Sequence, residues 1–164
     1  MFVIIGWVVV LGCVFGVFIA HGGNMGPIIK ALPWGVDLEE LAHHRGSSFG
    51  RRVGATPAQT DFENRLALLL LRRRHAAPGA ALFLEDESRT IGSISVPLEL
   101  YQAMKAAPLV IIDAPFASRV EQILRDYICE DLRERVALDP DHGFAQFGAA
   151  LHESLQRIQR RLGG

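Results

Sequence analysis

The sequence has little cysteine and almost no net charge. Cys13 and Cys129 are its only cysteines in 164 residues, so neither a disulfide framework nor a cysteine-based zinc site is expected. Lys and Arg number 17 and Asp and Glu number 18, which gives a formal charge of −1. This balance excludes a strongly basic nucleic-acid-binding protein and an acidic disordered tail. The length suits one domain of ordinary size.

Charged side chains are nearly absent from residues 1–33, where Lys30 is the only one. Seventeen of the first 20 residues are apolar and the other three are glycines. A helix of that length rises about 30 Å, the thickness of a bilayer's hydrocarbon core. The pattern predicts a transmembrane helix over residues 1–21 and a glycine-containing linker over 22–34. A secretory signal peptide, and a buried strand or helix of a soluble core, are the alternatives.

Gly12 and Gly16 form a G-x-x-x-G pattern, which lets two membrane helices pack closely, although glycine is also common in such helices. The pattern therefore allows a helix–helix partner in the membrane. Lys30 and Arg45 are among the basic residues that follow the apolar segment. Because basic residues favour the cytoplasmic side, we expect an inner-membrane tether with the remainder in the cytoplasm.

The apolar opening and the HGGNMG turn that follows it resemble the start of the A-type protein of the flagellar motor stator. The resemblance covers residues 1–33. It implies a first transmembrane helix that runs into a short glycine-containing loop. In that family three further transmembrane helices follow, and no later apolar run of this sequence approaches 18 residues. The proton path of a stator is therefore not expected here.

From residue 35 onward, short apolar runs alternate with helical stripes, which predicts a parallel α/β sheet with right-handed crossovers over 35–164. Residues 80–84 and 108–112 are predicted as buried strands and 36–38 as an edge strand. Thr60 and Glu63 fit a capping box at the start of a helix that runs to about residue 74. Pro97 suits the first turn of a second helix through residue 105.

Two long amphipathic stripes predict further helices with a buried face. Cys129, on or next to the first stripe, is expected to be a small core residue rather than a nucleophile. The stripe positions are Phe116, Val120, Ile123, Leu124, Tyr127 and Ile128 in the first helix, and Phe144, Phe147, Leu151, Leu155, Ile158 and Leu162 in the second.

The string HHRGSSFG over residues 43–50 is a candidate phosphate cradle. The guanidinium of Arg45, the hydroxyl of Ser47 and the backbone exposed at Gly46 are groups that bind phosphate oxygens. An ordinary exposed loop is the alternative. Adjacent histidines such as His43 and His44 would point about 100° apart on a helix, so no shared metal is expected.

The acidic string that ends the strand predicted over 80–84 is a second candidate site. Glu85, Asp86 and Glu87 would lie at the carboxyl edge of a parallel sheet, where ligands bind. Carboxylates there could act in catalysis by holding Mg²⁺ or a water. A solvated acidic turn paired with Arg89 is the alternative. Asp113, after the next predicted strand, could add a carboxylate to the same edge.

The ordered motifs HRGS, FEN and EDESRTIG resemble the tRNA 2-selenouridine synthase family over about residues 35–163. The resemblance implies an incomplete P-loop-type sheet with flanking helices, in which the acidic strand takes the Walker B-like place. It implies anticodon-loop tRNA as substrate and selenophosphate as co-substrate. In the family's transferase reaction, selenium replaces sulfur in a wobble 2-thiouridine through a geranylated intermediate.

The sequence departs from this family at two places. No G-K-[ST] of a P-loop precedes residue 35, and no rhodanese-like domain with its reactive cysteine is present. We therefore expect a chimeric fragment that does not catalyse selenation alone. Weak binding of tRNA or a phosphate-bearing ligand is expected at His44, Arg45, Gly46, Ser47 and Arg89. An enzyme completed by a partner, a binding module and a membrane interaction protein remain as three hypotheses.

Overall fold

The computed structural model describes the backbone of residues 17–19, 26–110 and 115–161, and the side chains of 26–110 and 115–160. The strands are β1 (Val17–Ile19), β2 (Gly35–Val36), β3 (Phe83–Glu85), β4 (Thr90–Ile91), β5 (Ile94–Ser95) and β6 (Leu109–Val110). The helices are α1 (Gly26–Ala31), α2 (Leu38–Leu41), α3 (Gln59–Ala76), α4 (Leu98–Ala106), α5 (Phe116–Leu124), α6 (Asp131–Leu138) and α7 (Gly143–Arg161). A π-helical segment, Arg125–Glu130, joins α5 to α6.

A four-stranded parallel sheet has the order β2-β3-β1-β6. Val17 lies opposite Phe83, and Phe18 lies opposite Leu109 on the other side of β1. The parallel α/β sheet and the edge strand near residue 36 are therefore confirmed. A separate antiparallel hairpin, β4–β5, was not expected from the sequence.

The central strand β1 corrects the prediction for the apolar opening. Val17–Ile19 pairs in parallel with both β3 and β6, so the predicted helix over residues 1–21 is wrong at these three residues. Of the three interpretations, a strand of the sheet is the one that fits their backbone pairing. The rest of the predicted membrane helix, with Gly12 and Gly16, lies outside the described residues. None of the helices in the described part of the chain has the length and apolar content needed to cross a bilayer.

The hydrophobic core joins the β2–β3 half of the sheet to α2, α3, α4 and the β4–β5 hairpin. Phe62 and Leu84 are fully buried within it. The helix expected up to about residue 74 is confirmed as α3, and its buried residues Phe62, Leu66 and Leu70 recur on one face. The core residues are Val36, Leu38, Ala42, Phe62, Leu66, Leu70, Leu84, Ile91, Ile94, Val96, Leu100 and Met104.

The start of α3 differs from the capping box expected at Thr60. The helix begins at Gln59 after Ala58, which has no side-chain cap, so Thr60 lies inside the first turn. The Gln59 side chain instead donates to the carbonyl of Ser95 at 2.8 Å and accepts from the Ser95 N–H at 2.9 Å. This pair of bonds ties the start of α3 to the hairpin. The contact lies between residues far apart in sequence and had no local signal.

The two stripes predicted for α5 and α7 are largely exposed. No residue of α5 is buried, and Phe116 is 74% exposed. In α7, Phe147 is buried but Phe144 is 73% exposed. Both helices are present as predicted, but Phe147 is the only buried residue among the described stripe positions, so the expected burial is wrong at the exposed ones. Apolar periodicity shows which face of a helix is apolar and not which element covers it.

Gly35 lies where α1 approaches the sheet most closely. A methyl group on its Cα would overlap the carbonyl oxygen of Ile29. We expect Gly35→Ala to lower the free energy of unfolding by about 1–3 kcal/mol, because the packed backbone of α1 must move. Urea denaturation measures this loss. Gly148→Ala is the control: its Cβ would meet nothing within 4 Å, so a gain of about 0.5–1 kcal/mol is expected in the helix. Equal effects of the two variants would contradict the close approach.

Candidate functional site

The loop over residues 43–50 is folded back on itself by backbone hydrogen bonds. The N–H of Arg45 donates to the carbonyl of Gly50 at 2.8 Å, and the N–H of Gly50 donates to the carbonyl of Ser47 at 2.9 Å. A bridge between His44 and Arg51 closes the loop at its base. Gly46 has a φ of +64°, a backbone conformation that residues other than glycine rarely adopt. The loop predicted as a phosphate cradle is thus a tightly built turn.

A cavity of about 610 Å³ lies between this loop, the β4–β5 hairpin and α7. We call it the larger cavity, to distinguish it from a neighbouring cavity of about 270 Å³. The residues within 26–110 and 115–160 that line it include two arginines and several hydroxyl-bearing side chains, and none of them is Asp or Glu. Groups of this kind donate hydrogen bonds to anions. The lining residues are His44, Gly46, Ser47, Ser48, Arg51, Thr56, Ser88, Thr90, Gly92, Ser93 and Arg157.

His44 presents a neutral imidazole to the larger cavity. Burial lowers the pKa of His44, and the positive charge of Arg51 and the other nearby arginines lowers it further. Its Nδ1 accepts from the N–H of Gly46 at 3.1 Å, which leaves the ring proton on Nε2. His44 is therefore a hydrogen-bond donor in this cavity at neutral pH and not a cation.

Arg45 does not line the larger cavity. Its buried guanidinium lies 3.8 Å from the carboxylate of Asp131 and 3.9 Å from that of Glu134. It also lies over the ring of Tyr127, whose hydroxyl donates to the Arg45 carbonyl at 2.9 Å. These contacts anchor the loop to the π-helical segment and α6. Arg45 therefore holds the loop in place, while its neighbours Gly46 and Ser47 line the larger cavity.

Glu85, at the carboxyl end of β3, is buried and faces the start of α2. Its Oε2 accepts from the N–H of Leu38 at 2.7 Å. Burial raises the pKa of Glu85 to about 9, and the negative charge of Asp37 and a hydrogen bond to it add to the rise. Glu85 is therefore protonated at neutral pH, and it ties the first turn of α2 to the sheet.

Glu87 and Glu39 form a second pair of carboxyls beneath the loop. Burial raises the pKa of Glu39 to about 8, and Glu87 raises it further by its charge and by a hydrogen bond. A methyl group on Gly46 would overlap the Glu39 carboxyl, so the loop rests directly on this pair. Asp86 lies apart from it and forms an ion pair with Lys105 at 2.6 Å.

These carboxyls do not fit Mg²⁺, which the sequence suggested for this edge. Magnesium is held by carboxylate oxygens together with several waters, whereas one Glu85 oxygen accepts from the Leu38 N–H and Asp86 is paired with Lys105. Within residues 26–110 and 115–160, no group of three or more His, Cys, Asp or Glu side chains is placed to hold a metal ion.

The remaining candidates lie outside the larger cavity. Arg89 is exposed at the start of the hairpin and is not a lining residue. Cys129 is exposed, so its predicted place in the core is wrong. Asp113 lies outside the described residues. The structure thus brings together His44, Gly46 and Ser47 of the predicted phosphate-binding residues, and it sets Arg45, Arg89 and the three acidic residues elsewhere.

Sequence reasoning missed two arginines of the larger cavity. Arg51 directly follows the HHRGSSFG string and could have been included with it. Arg157 lies more than 100 positions further on, in α7, and no local pattern links it to the loop. One signal in the sequence pointed to a polar contact of α7 with the rest of the chain. Ser154 lies seven residues after Phe147 and so on the same face of the helix, and it is buried there.

Comparison with known proteins gives a consistent result over most of the chain. The family described as the tRNA 2-selenouridine synthase AAA domain matches residues 20–164. The tRNA 2-selenouridine synthase of Azotobacter vinelandii is 51% identical over 152 residues, which cover 90% of this chain and 41% of that protein. The Pseudomonas aeruginosa PAO1 protein of the same name is 52% identical over 154 residues, with the same two shares.

The Hahella chejuensis tRNA 2-selenouridine synthase is 47% identical over 144 residues, which cover 87% of this chain and 38% of that protein. The chain thus spans about two fifths of the length of the curated relatives it matches. No solved structure matches the chain significantly. The family match beginning at residue 20, together with the strand at Val17–Ile19, does not support a stator-like membrane helix.

Proposed function

The chain belongs to the tRNA 2-selenouridine synthase family, and from this membership we propose that its α/β unit binds tRNA for the replacement of sulfur by selenium in a wobble 2-thiouridine. The larger cavity is the proposed contact region. The observation that carries this proposal is that Arg51 and Arg157 meet the loop over residues 43–50 in a cavity whose described lining residues include no carboxylate. RNA presents a phosphate every nucleotide, and arginine pairs with phosphate through two parallel hydrogen bonds.

The loop positions this contact region through three anchors. Arg45 fixes it to α6, the Tyr127 hydroxyl holds the Arg45 carbonyl, and Gly46 rests on the carboxyl pair below. Ser47 and His44 then offer donors in the cavity wall beside the arginines. We propose that Glu85 and Glu87 act as positioning residues for this loop and for α2.

Fluorescence anisotropy with the purified chain and a tRNA whose wobble uridine is geranylated tests the proposal. We expect binding at low salt, with an affinity that falls as salt rises because counterions are released. Arg51→Gln should weaken binding and lower the slope of log K against log salt by about one. Arg51 is mostly exposed, so this variant should keep the fold.

Arg160→Gln is the matched control, since it removes the same charge from an exposed position of α7 outside the larger cavity. It should bind tRNA as the parent chain does, apart from a small electrostatic effect. If anisotropy does not change at low salt, or if an unrelated RNA binds with equal affinity, the proposal is refuted. An equal loss in both arginine variants would show that total charge and not the cavity governs binding.

A further inference from the structure

The two arginines of the larger cavity share one carboxylate oxygen. Glu153 Oε1 lies 3.3 Å from Arg51 Nη1 and 2.7 Å from Arg157 Nη1. The three side chains therefore carry two positive charges and one negative charge, which leaves a net positive charge. The side chain of Glu153 is about half exposed, so it can leave this position without unfolding α7.

Arg157 is held in place independently of Glu153. Its Nη2 donates to the carbonyl of Ser48 at 3.1 Å and to the hydroxyl of Ser154 at 2.7 Å. The Ser154 hydroxyl in turn donates to the carbonyl of Ala150 at 2.9 Å. The guanidinium thus keeps its orientation towards the loop when Glu153 moves away.

Glu153 lines one of two neighbouring cavities that share the two arginines. It lines a smaller cavity of about 270 Å³, and Arg51 and Arg157 line both this and the larger one. None of the described residues that line the larger cavity is acidic. An anion in the larger cavity would therefore meet the same two arginines that Glu153 contacts.

We propose that the larger cavity is a phosphate-binding subsite and that Glu153 competes with the phosphate for Arg51 and Arg157. A tetrahedral phosphate has enough oxygens to accept from both guanidiniums and from the loop hydroxyls at once, which a single carboxylate oxygen does not. The proposal rests on the proposed function, because it assigns a ligand to the same cavity. The phosphate is either one of the RNA backbone or that of a free phosphate compound. The recognition chemistry is the same for both sources.

Calorimetric titration of the chain with inorganic phosphate tests the competition. Glu153→Gln should raise the affinity for phosphate about two- to fivefold, the range in which removal of a half-exposed carboxylate acts. Glu121→Gln is the matched control, because Glu121 of α5 pairs at the same four-residue spacing with Arg125, the first residue of the π-helical segment. It should leave phosphate affinity unchanged. Equal gains in both variants, or no gain in Glu153→Gln, would overturn the proposal.

Arg51→Gln, with and without Glu153→Gln, provides the second readout. The single variant should weaken phosphate binding, and the double variant should lose most of the gain caused by Glu153→Gln, because that gain acts through Arg51 and Arg157. A gain that persists in full would show that Glu153 acts only through long-range charge. Circular dichroism of each variant checks that the fold is kept.

A competition arm identifies the source of the phosphate. Displacement of inorganic phosphate by tRNA would assign the subsite to an RNA phosphate, and simultaneous binding would assign it to a free phosphate compound. The two proposals also fail separately. If Glu153→Gln raises phosphate affinity but the chain does not bind tRNA, the proposed function fails and the subsite stands. If tRNA binds but phosphate affinity is insensitive to Glu153, the subsite fails.

Discussion

Raising the pH from about 5 to about 9 is expected to lower the free energy of unfolding of this chain steeply. Glu39 and Glu85 are protonated in the folded state up to a pKa of about 8 and about 9 respectively, against the usual 4.5. Between the unfolded and the folded pKa, the folded state binds more protons than the unfolded state. Each group therefore lowers the free energy of unfolding by up to about 1.4 kcal/mol per pH unit in that interval.

The direction follows from the burial of both carboxyls. Their stabilising effect is fully present below the unfolded pKa and is lost as the pH rises through the folded pKa, because ionisation would place charges beside Asp37 and Glu87. Urea denaturation at a series of pH values measures this slope. A profile that is flat or rises over the interval would contradict the assignment of protonated carboxyls.

Glu85→Gln separates this effect from the titration of the rest of the chain. The amide stays neutral and can still accept from the Leu38 N–H, so the variant should lose part of the pH dependence and be more stable than the parent at high pH. Glu99→Gln is the control, since Glu99 lies exposed in α4. A slope equal to that of the parent in Glu85→Gln would show that Glu85 is ionised in the folded state.

Replacement of Phe62 by alanine is expected to cost about 3–5 kcal/mol of stability. The ring is fully buried where α3 packs on the sheet, so the substitution removes apolar contacts and leaves a cavity. Chemical denaturation of the variant and the parent at one fixed pH near 6 measures the loss, so that the titration of the carboxyls does not enter the comparison. Unfolding of the variant under all conditions is the upper end of the same expectation.

Phe144→Ala is the matched control for this variant. Phe144 belongs to an apolar stripe that is just as regular in the sequence, but its ring is mostly exposed in α7. Its replacement should change stability by less than about 0.5 kcal/mol. A large loss of stability in Phe144→Ala together with a small loss in Phe62→Ala would contradict the assignment of Phe62 to the core.

The contrast between these two phenylalanines shows how far the sequence predicts this fold. Helical periodicity locates α3 and α7 equally well, because it depends only on residues within the helix. Burial depends on what the rest of the chain places opposite that face. Phe62 faces the sheet and hairpin, whereas none of the described elements buries Phe144.

The apolar opening illustrates the same limit for element type. A long apolar run is compatible with a membrane helix or with a buried strand, and length alone favoured the helix. The pairing partners of Val17–Ile19 decide for a strand, and they lie more than 60 residues away in β3 and β6. A stretch without charge therefore identified a central element of the fold but not its geometry.

The candidate site was predictable as far as it was local. The HRGS loop and the acidic end of β3 were both found from composition and position. The pairing of Glu39 with Glu87 was not, because it joins two elements that are distant in sequence. Arg157 and Glu153 were missed for the same reason, since α7 reaches the loop only in three dimensions.

Hydrogen–deuterium exchange of the chain with and without tRNA tests the central claim most directly, namely that this family member engages RNA at the larger cavity. We predict slower exchange on tRNA binding over residues 44–51, over the hairpin at 88–93, and over the part of α7 around residue 157. The opposite result, in which these three segments exchange unchanged while α3 or α4 becomes protected, would contradict the account.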